Sequence, residues 1–153
     1  MKKMLHNWVC FSTGKPYTPS TDAHGMVYKI TDHDNGKIYI GKKQLHKTVP
    51  LGKKEMAKVE KIDKRKKYGK RVETDWRKYS SSNKELSKKI NIDTYEFTFQ
   101  VIHECYDETS LKFKELEEII NQCSFSSSNG YNDNIQIKQI GKIKNLDMRY
   151  MKL

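Results

Sequence analysis

Two tyrosines, one glutamate set among apolar neighbours and a dense field of lysines are the residues of this chain that could do chemistry. Tyr28 and Tyr39 stand 11 positions apart. Each lies in a short run rich in β-branched and aromatic residues, and Asp32, Asp34, Asn35 and Gly36 between the runs supply turn chemistry. Asn-Gly between apolar runs is a strong hairpin signal, so the segment from Gly25 to Lys43 reads as two strands that bring the phenols onto paired backbones. An ordinary edge hairpin whose tyrosines pack on a core fits the same pattern. Glu115 shares a helical row with Leu111 and Ile119, at i, i+4 and i+8. A carboxylate held inward is costly without a partner or a metal. The plainer alternative is a glutamate at the edge of the stripe that reaches solvent. An imidazole can serve as a general base near neutral pH, which makes His46 a candidate, although a surface-loop histidine is the commoner case. The other histidines show no metal-ligand spacing.

The formal net charge is +11, a large positive field that favours polyanionic partners. Between Lys53 and Val72 ten Lys or Arg stand against Glu55, Glu60 and Asp63. The bland reading is a solvated helix face. The functional one is an insertion that neutralises DNA phosphates, which the overall charge favours. With 153 residues the chain suits one domain. No apolar run is long enough to cross a membrane, and Met1 to Leu5 is not followed by an apolar signal core. Cys10, Cys105 and Cys123 are odd in number and lack CxxC spacing, which argues for reduced thiols and against structural zinc. A cytoplasmic location is expected.

The elements that must position these groups follow from periodicity. Residues 1–24 read as an extension with an apolar patch (Trp8, Val9, Phe11) and a turn-rich loop. Met56, Val59 and Ile62 recur at helical spacing and predict a basic helical insertion over about 45–72. Ser82 with Glu85 forms a capping box ahead of a helix from about Asn83 to Ile90, with Trp76 and Tyr79 able to anchor its entry. Thr94 to Glu104 alternates as a half-buried strand, placing Tyr95, Phe97, Phe99 and Val101 on one face. Asp107 caps a helix running to about Cys123, with Phe113, Leu116, Ile120 and Cys123 as its apolar stripe. Asn129-Gly130 makes a turn before a possible strand at Ile135, Ile137 and Ile140, and residues 137–153 form a basic tail. The expected fold class is α/β, of the α+β kind: a small three-stranded antiparallel sheet flanked by helices.

Met26-Val27-Tyr28 followed by Tyr39-Ile40-Gly41 resembles the paired signature of the GIY-YIG nucleases, with the first element degenerate and the second intact. The likeness spans roughly residues 25–136. It extends to a phage-encoded group in which YIGKK is followed, after a basic insertion, by a DW…Y…S-S segment, here Lys42, Lys43, Asp75, Trp76, Tyr79 and Ser80 to Ser82. The resemblance implies a metal-dependent DNA endonuclease; likeness to the phage-encoded group extends this to a homing-type enzyme acting in the host-cell cytoplasm. By it, Glu115 holds a single divalent cation, Mg²⁺ by preference, and Tyr39 lies near the attacking water. Tyr28 assists as base or relay, Lys42 favours phenolate character and contacts phosphate, Gly41 lets backbone approach DNA, and Asn132 orients the catalytic groups. The family's arginine has no counterpart just after Gly41. Arg65, Arg71 and Arg77 are candidates, and Arg71 is preferred because it precedes the DW segment. Lys43, His46, Lys53, Lys54, Lys64, Arg65, Lys66, Lys67, Lys70, Arg77 and Tyr79 are the expected nucleic-acid contacts. DNA is the expected partner, with no small-molecule cofactor. The alternatives are a catalytically inactive basic nucleic-acid-binding protein, or an RNA- or ribosome-associated basic protein.

Overall fold

The structure is a computed structural model that describes residues 5–133, the side chain of Tyr95 excepted. The expected segment around Ile135, Ile137 and Ile140 and the basic tail lie outside the described residues.

β2 (Gly25–Asp32) runs through the middle of the sheet. β3 (Ile38–Gln44) pairs with it antiparallel on one side, and β6 (Phe97–Cys105) antiparallel on the other. These are the three strands the sequence predicts. A fourth, β1 (Trp8–Cys10), lies parallel to β6 and comes from the segment read as an extension. Three residues are too few to show a period of 2, and the partner strand is remote in sequence. The indole of Trp8 is buried and packs edge-on against Tyr28 and Phe99. The hairpin loop spans 33–37. Only Gly36 there takes a positive φ, of 73°. The carboxylate of Asp32 accepts from the Asp34 amide and the Asn35 side chain accepts from the Lys37 amide, so side chains satisfy the loop's donors.

Each face of the sheet is covered. On one side lies α2 (Lys84–Ile92), which buries Leu86 and Ile90 in a cluster with Met26, Tyr28, Ile30, Phe97 and Phe99. Trp76, in a 3₁₀ turn over Trp76–Lys78, fills the same cluster. On the other side lies α3 (Glu108–Asn121), capped by Asp107 as expected. The helix is turned away from the predicted stripe: Leu111 and Ile119 pack on Val27, Ile40 and Cys105, while Ile120 is 49% exposed. The inward row is therefore the one that carries Glu115.

The basic insertion is not a helical arm. β4 (His46–Pro50) and β5 (Gly69–Glu73) form a separate two-stranded antiparallel ribbon, and only α1 (Lys53–Met56) is helical. The helical spacing buries little: Ile62 is 58% exposed, and Met56 and Val59 are only half-buried. With little tertiary burial, so short a helix is marginal in water.

Candidate active site

The site lies at the outer edge of β3. Ile38 to Ile40 are sealed there by the segment 129–132. Asn129 accepts from the Ile38 amide, Ile38 accepts from the Tyr131 amide, and the Asn132 side chain both accepts from the Ile40 amide and donates to its carbonyl. Asn132 thus acts as a surrogate strand, and its expected orienting role falls on β3. Alternation along an antiparallel strand directs the Lys42 backbone groups to the same outer edge, just past the seal.

Tyr28 pairs with Gly41 across the hairpin. A Cβ on Gly41 would lie 2.5 Å from the Tyr28 hydroxyl and 2.8 Å from the Tyr39 ring. Gly41 therefore clears room for two phenols, where the sequence suggested room for DNA. The β2–β6 register shifts between Val27 and Tyr28, which leaves Ile102 as the extra residue on β6. Bulges of this kind re-aim neighbouring side chains. Tyr28 is buried, and its ring meets Tyr79 edge-on.

The Tyr39 hydroxyl lies 2.7 Å from Ser82 Oγ. Ser82 is not the cap of α2: the Asn83 side chain accepts from the Leu86 amide, which leaves the serine free to bond Tyr39. Tyr79, expected on DNA, belongs to this hydroxyl cluster, and the Lys43 ammonium sits 4.1 Å from the centre of its ring. Lys43 also pairs with Asp75 at 2.7 Å. From the α3 face Glu115 reaches the same edge, and the Lys42 ammonium lies 3.6 Å from its carboxylate.

Burial above all raises the pKa of Tyr28, Tyr39 and Tyr79, with smaller upward contributions from the neighbouring phenols at Tyr28 and Tyr39, from Asp75 at Tyr79, and from Glu115 at all three; the Ser82 hydrogen bond only partly opposes this at Tyr39. Burial disfavours the charged form of each phenol. Glu115, 27% exposed at its side chain, is an oxygen donor open to solvent. One hard carboxylate suits Mg²⁺, which keeps most of its waters and takes few protein ligands, so the residues present fit such an ion. His103, Glu117 and Glu118 form a separate cluster of potential ligands. There His103 pairs with Glu118 and Lys114 with Glu117.

The expected basic contacts divide. The Arg71 guanidinium donates to the carbonyls of Thr21 and Ala23 and contacts His46 Nδ1 at 2.8 Å. It clamps the loop before β2 and is not brought to the tyrosines. Its position in β5, on the ribbon, is the reason. Arg77 pairs with Glu73 and stacks on Trp76, and Lys70 pairs with Glu55. Among the described residues, Lys53, Lys54, Lys64, Arg65, Lys66 and Lys67 make no ion pair. A cleft of about 890 Å³ joins the base of the ribbon (Lys47, Glu73) to Lys42, Lys43 and the start of α3 at Glu108 and Leu111. Sequence reasoning missed Ser82 as a partner of Tyr39. The signal was Asn83 beside it, an equally good cap.

Comparison with curated proteins and with solved structures returns no match. A family model described as "Putative endonuclease segE, GIY-YIG domain" matches residues 8–135, a span that takes in β1 as well as the hairpin, Glu115 and Asn132. No helix among the described residues is long and apolar enough to cross a membrane. The chain belongs to the SegE group of GIY-YIG domains, within the GIY-YIG nuclease superfamily.

Proposed function

We propose that the protein is a metal-dependent DNA endonuclease that hydrolyses phosphodiester bonds at the edge of β3. The observation that carries this reading is the meeting of Tyr28, Tyr39, Tyr79 and Ser82 from one face of the sheet with Glu115 and Lys42 from the other, at an edge sealed only as far as Ile40 among the described residues. Glu115 would hold one divalent cation, and Mg²⁺ there supplies charge neutralisation at the scissile phosphate and the leaving oxygen. Tyr39, held by Ser82, hydrogen-bonds and orients the attacking water. Tyr28, fully buried, fixes Tyr39 and Tyr79 and relays hydrogen bonds. Lys42 takes the phosphate-facing role that the family gives to an arginine, since Arg71 is committed to backbone carbonyls. Phage origin and a homing role are narrower forms of this reading, supported by the resemblance to the phage-encoded group. An action in the host cytoplasm would follow.

The test is incubation of supercoiled plasmid with the protein, with Mg²⁺ or with EDTA, beside Glu115→Ala. Nicking or linearisation that requires both the metal and Glu115 is the expected result. Salt-sensitive binding without cutting favours the second reading, a catalytically silent DNA-binding protein. The observation on its side is that Arg71 donates to the Thr21 and Ala23 carbonyls and is not brought to the tyrosines.

A further inference from the structure

The function proposed above says that DNA is cut, but not how the duplex is read. Resting on that reading, we propose that the ribbon of β4 and β5 enters the major groove beside the cleaved phosphate, with Lys47 and Val49 turned toward the base edges.

Cross-strand partners share a face of a ribbon. His46 opposes Glu73 and Thr48 opposes Arg71, while Lys47 opposes Val72 and Val49 opposes Lys70. The Arg71 guanidinium fixes the first set against Thr21 and Ala23. The second set therefore faces away from that loop, and Lys47 lines the cleft that also holds Lys42 and Lys43. A strand of DNA laid along the cleft passes from the edge of β3 to this face.

The dimensions select the groove. Five residues per strand span roughly 17 Å. Two strands about 4.8 Å apart, with their side chains, make a body on the order of 10–12 Å wide. That matches a major groove of about 12 Å and exceeds a minor groove of about 6 Å.

Charge and rigidity agree. Beside the base of the ribbon, Lys43 and Arg77 are paired with acids, and toward its tip Lys70, opposite Val49, is paired with Glu55. At its tip, Lys64, Arg65, Lys66 and Lys67 are exposed and make no ion pair among the described residues. The tip is held in shape by Tyr68, whose hydroxyl donates to the Lys61 carbonyl and accepts from the Asp63 amide. Cations presented on a preformed ribbon suit phosphates flanking a groove, while Lys47 suits guanine acceptors and Val49 a thymine methyl group.

The test has two arms, each run on the full-length chain. In the first, binding to duplex DNA is challenged with methyl green, which occupies the major groove, or netropsin, which occupies the minor. Displacement by methyl green at concentrations where netropsin has little effect is expected; the reverse order overturns the proposal. In the second, cut sites in a random-sequence library are profiled for wild type and for Lys47→Ala/Val49→Ala. The wild type should show base preference beside the cut, and the double variant should lose about tenfold of it. An unchanged profile, or a wild type with no preference, overturns the proposal. Cutting that survives Glu115→Ala defeats the metal-holding role of Glu115, and no cutting at all defeats the nuclease reading; in either case the groove competition still decides the placement of the ribbon.

Discussion

At the scale of single residues, the site depends on hydroxyls whose positions are fixed by neighbours with no reacting group of their own. Tyr39→Phe and Glu115→Ala should each cut plasmid nicking by 100-fold or more, on the order expected for loss of a group acting at the reacting centre. DNA binding, read by gel shift, should be largely retained in both. Ser82→Ala removes one hydrogen bond from Tyr39, worth about a factor of ten. The expected signature is a lower kcat with KM unchanged, and Ser82→Thr should restore it. Gly41→Ala would place a methyl group 2.5 Å from the Tyr28 hydroxyl. Overpacking of this kind costs about 1–3 kcal/mol, so a lower melting temperature and lost nicking should appear together.

At the scale of elements, the hairpin, α2 and the segment after α3 meet at Asp32. Its buried carboxylate accepts from Lys89 of α2, from the Tyr131 hydroxyl and from the Asp34 amide. Tyr131 adjoins Asn132, so the network holds the seal on β3. Burial alone would raise the pKa of Asp32; the hydrogen bonds from Lys89, Tyr131 and Asp34 outweigh it, and the pKa is lowered. A carboxylate with a folded pKa below its unfolded value adds stability that is full above about pH 4 and is lost as pH falls through the folded value. The melting temperature should therefore drop in acid. Asp32→Asn should cost about 2 kcal/mol at neutral pH, since Lys89 remains partly solvated, and should flatten that acid limb.

At the scale of the whole molecule, an excess of 11 positive charges is not evenly available. Lys42 and Lys43 at the site are paired with acids, whereas Lys64 to Lys67 at the ribbon tip make no ion pair among the described residues. Replacing Lys64 to Lys67 with serine should lower the slope of log affinity against log salt by up to about 3–4. Lys43→Ser or Arg77→Ser should change it by less than one. A slope that responds equally to all of these positions would show that internal pairing does not govern which cations meet DNA.

The sequence by itself determined the local features. The two tyrosine strands, the asparagine-glycine turn, the strand at Phe97 to Val101 and the Asp107 cap all follow from backbone propensity and short-range hydrogen bonding. The row holding Glu115 was legible too, because a carboxylate at apolar spacing is conspicuous. What the tertiary structure decided involves partners far apart in the chain. The parallel pairing of Trp8 to Cys10 with β6 is one case, the facing of α3 another, and the clamp of Asn132 on Ile40 a third. The basic insertion shows the reason most plainly. Its helical spacing buries little, so cross-strand pairing between His46–Pro50 and Gly69–Glu73 prevails. Local pattern sets what a segment can form, and burial against remote neighbours sets which of those forms is kept.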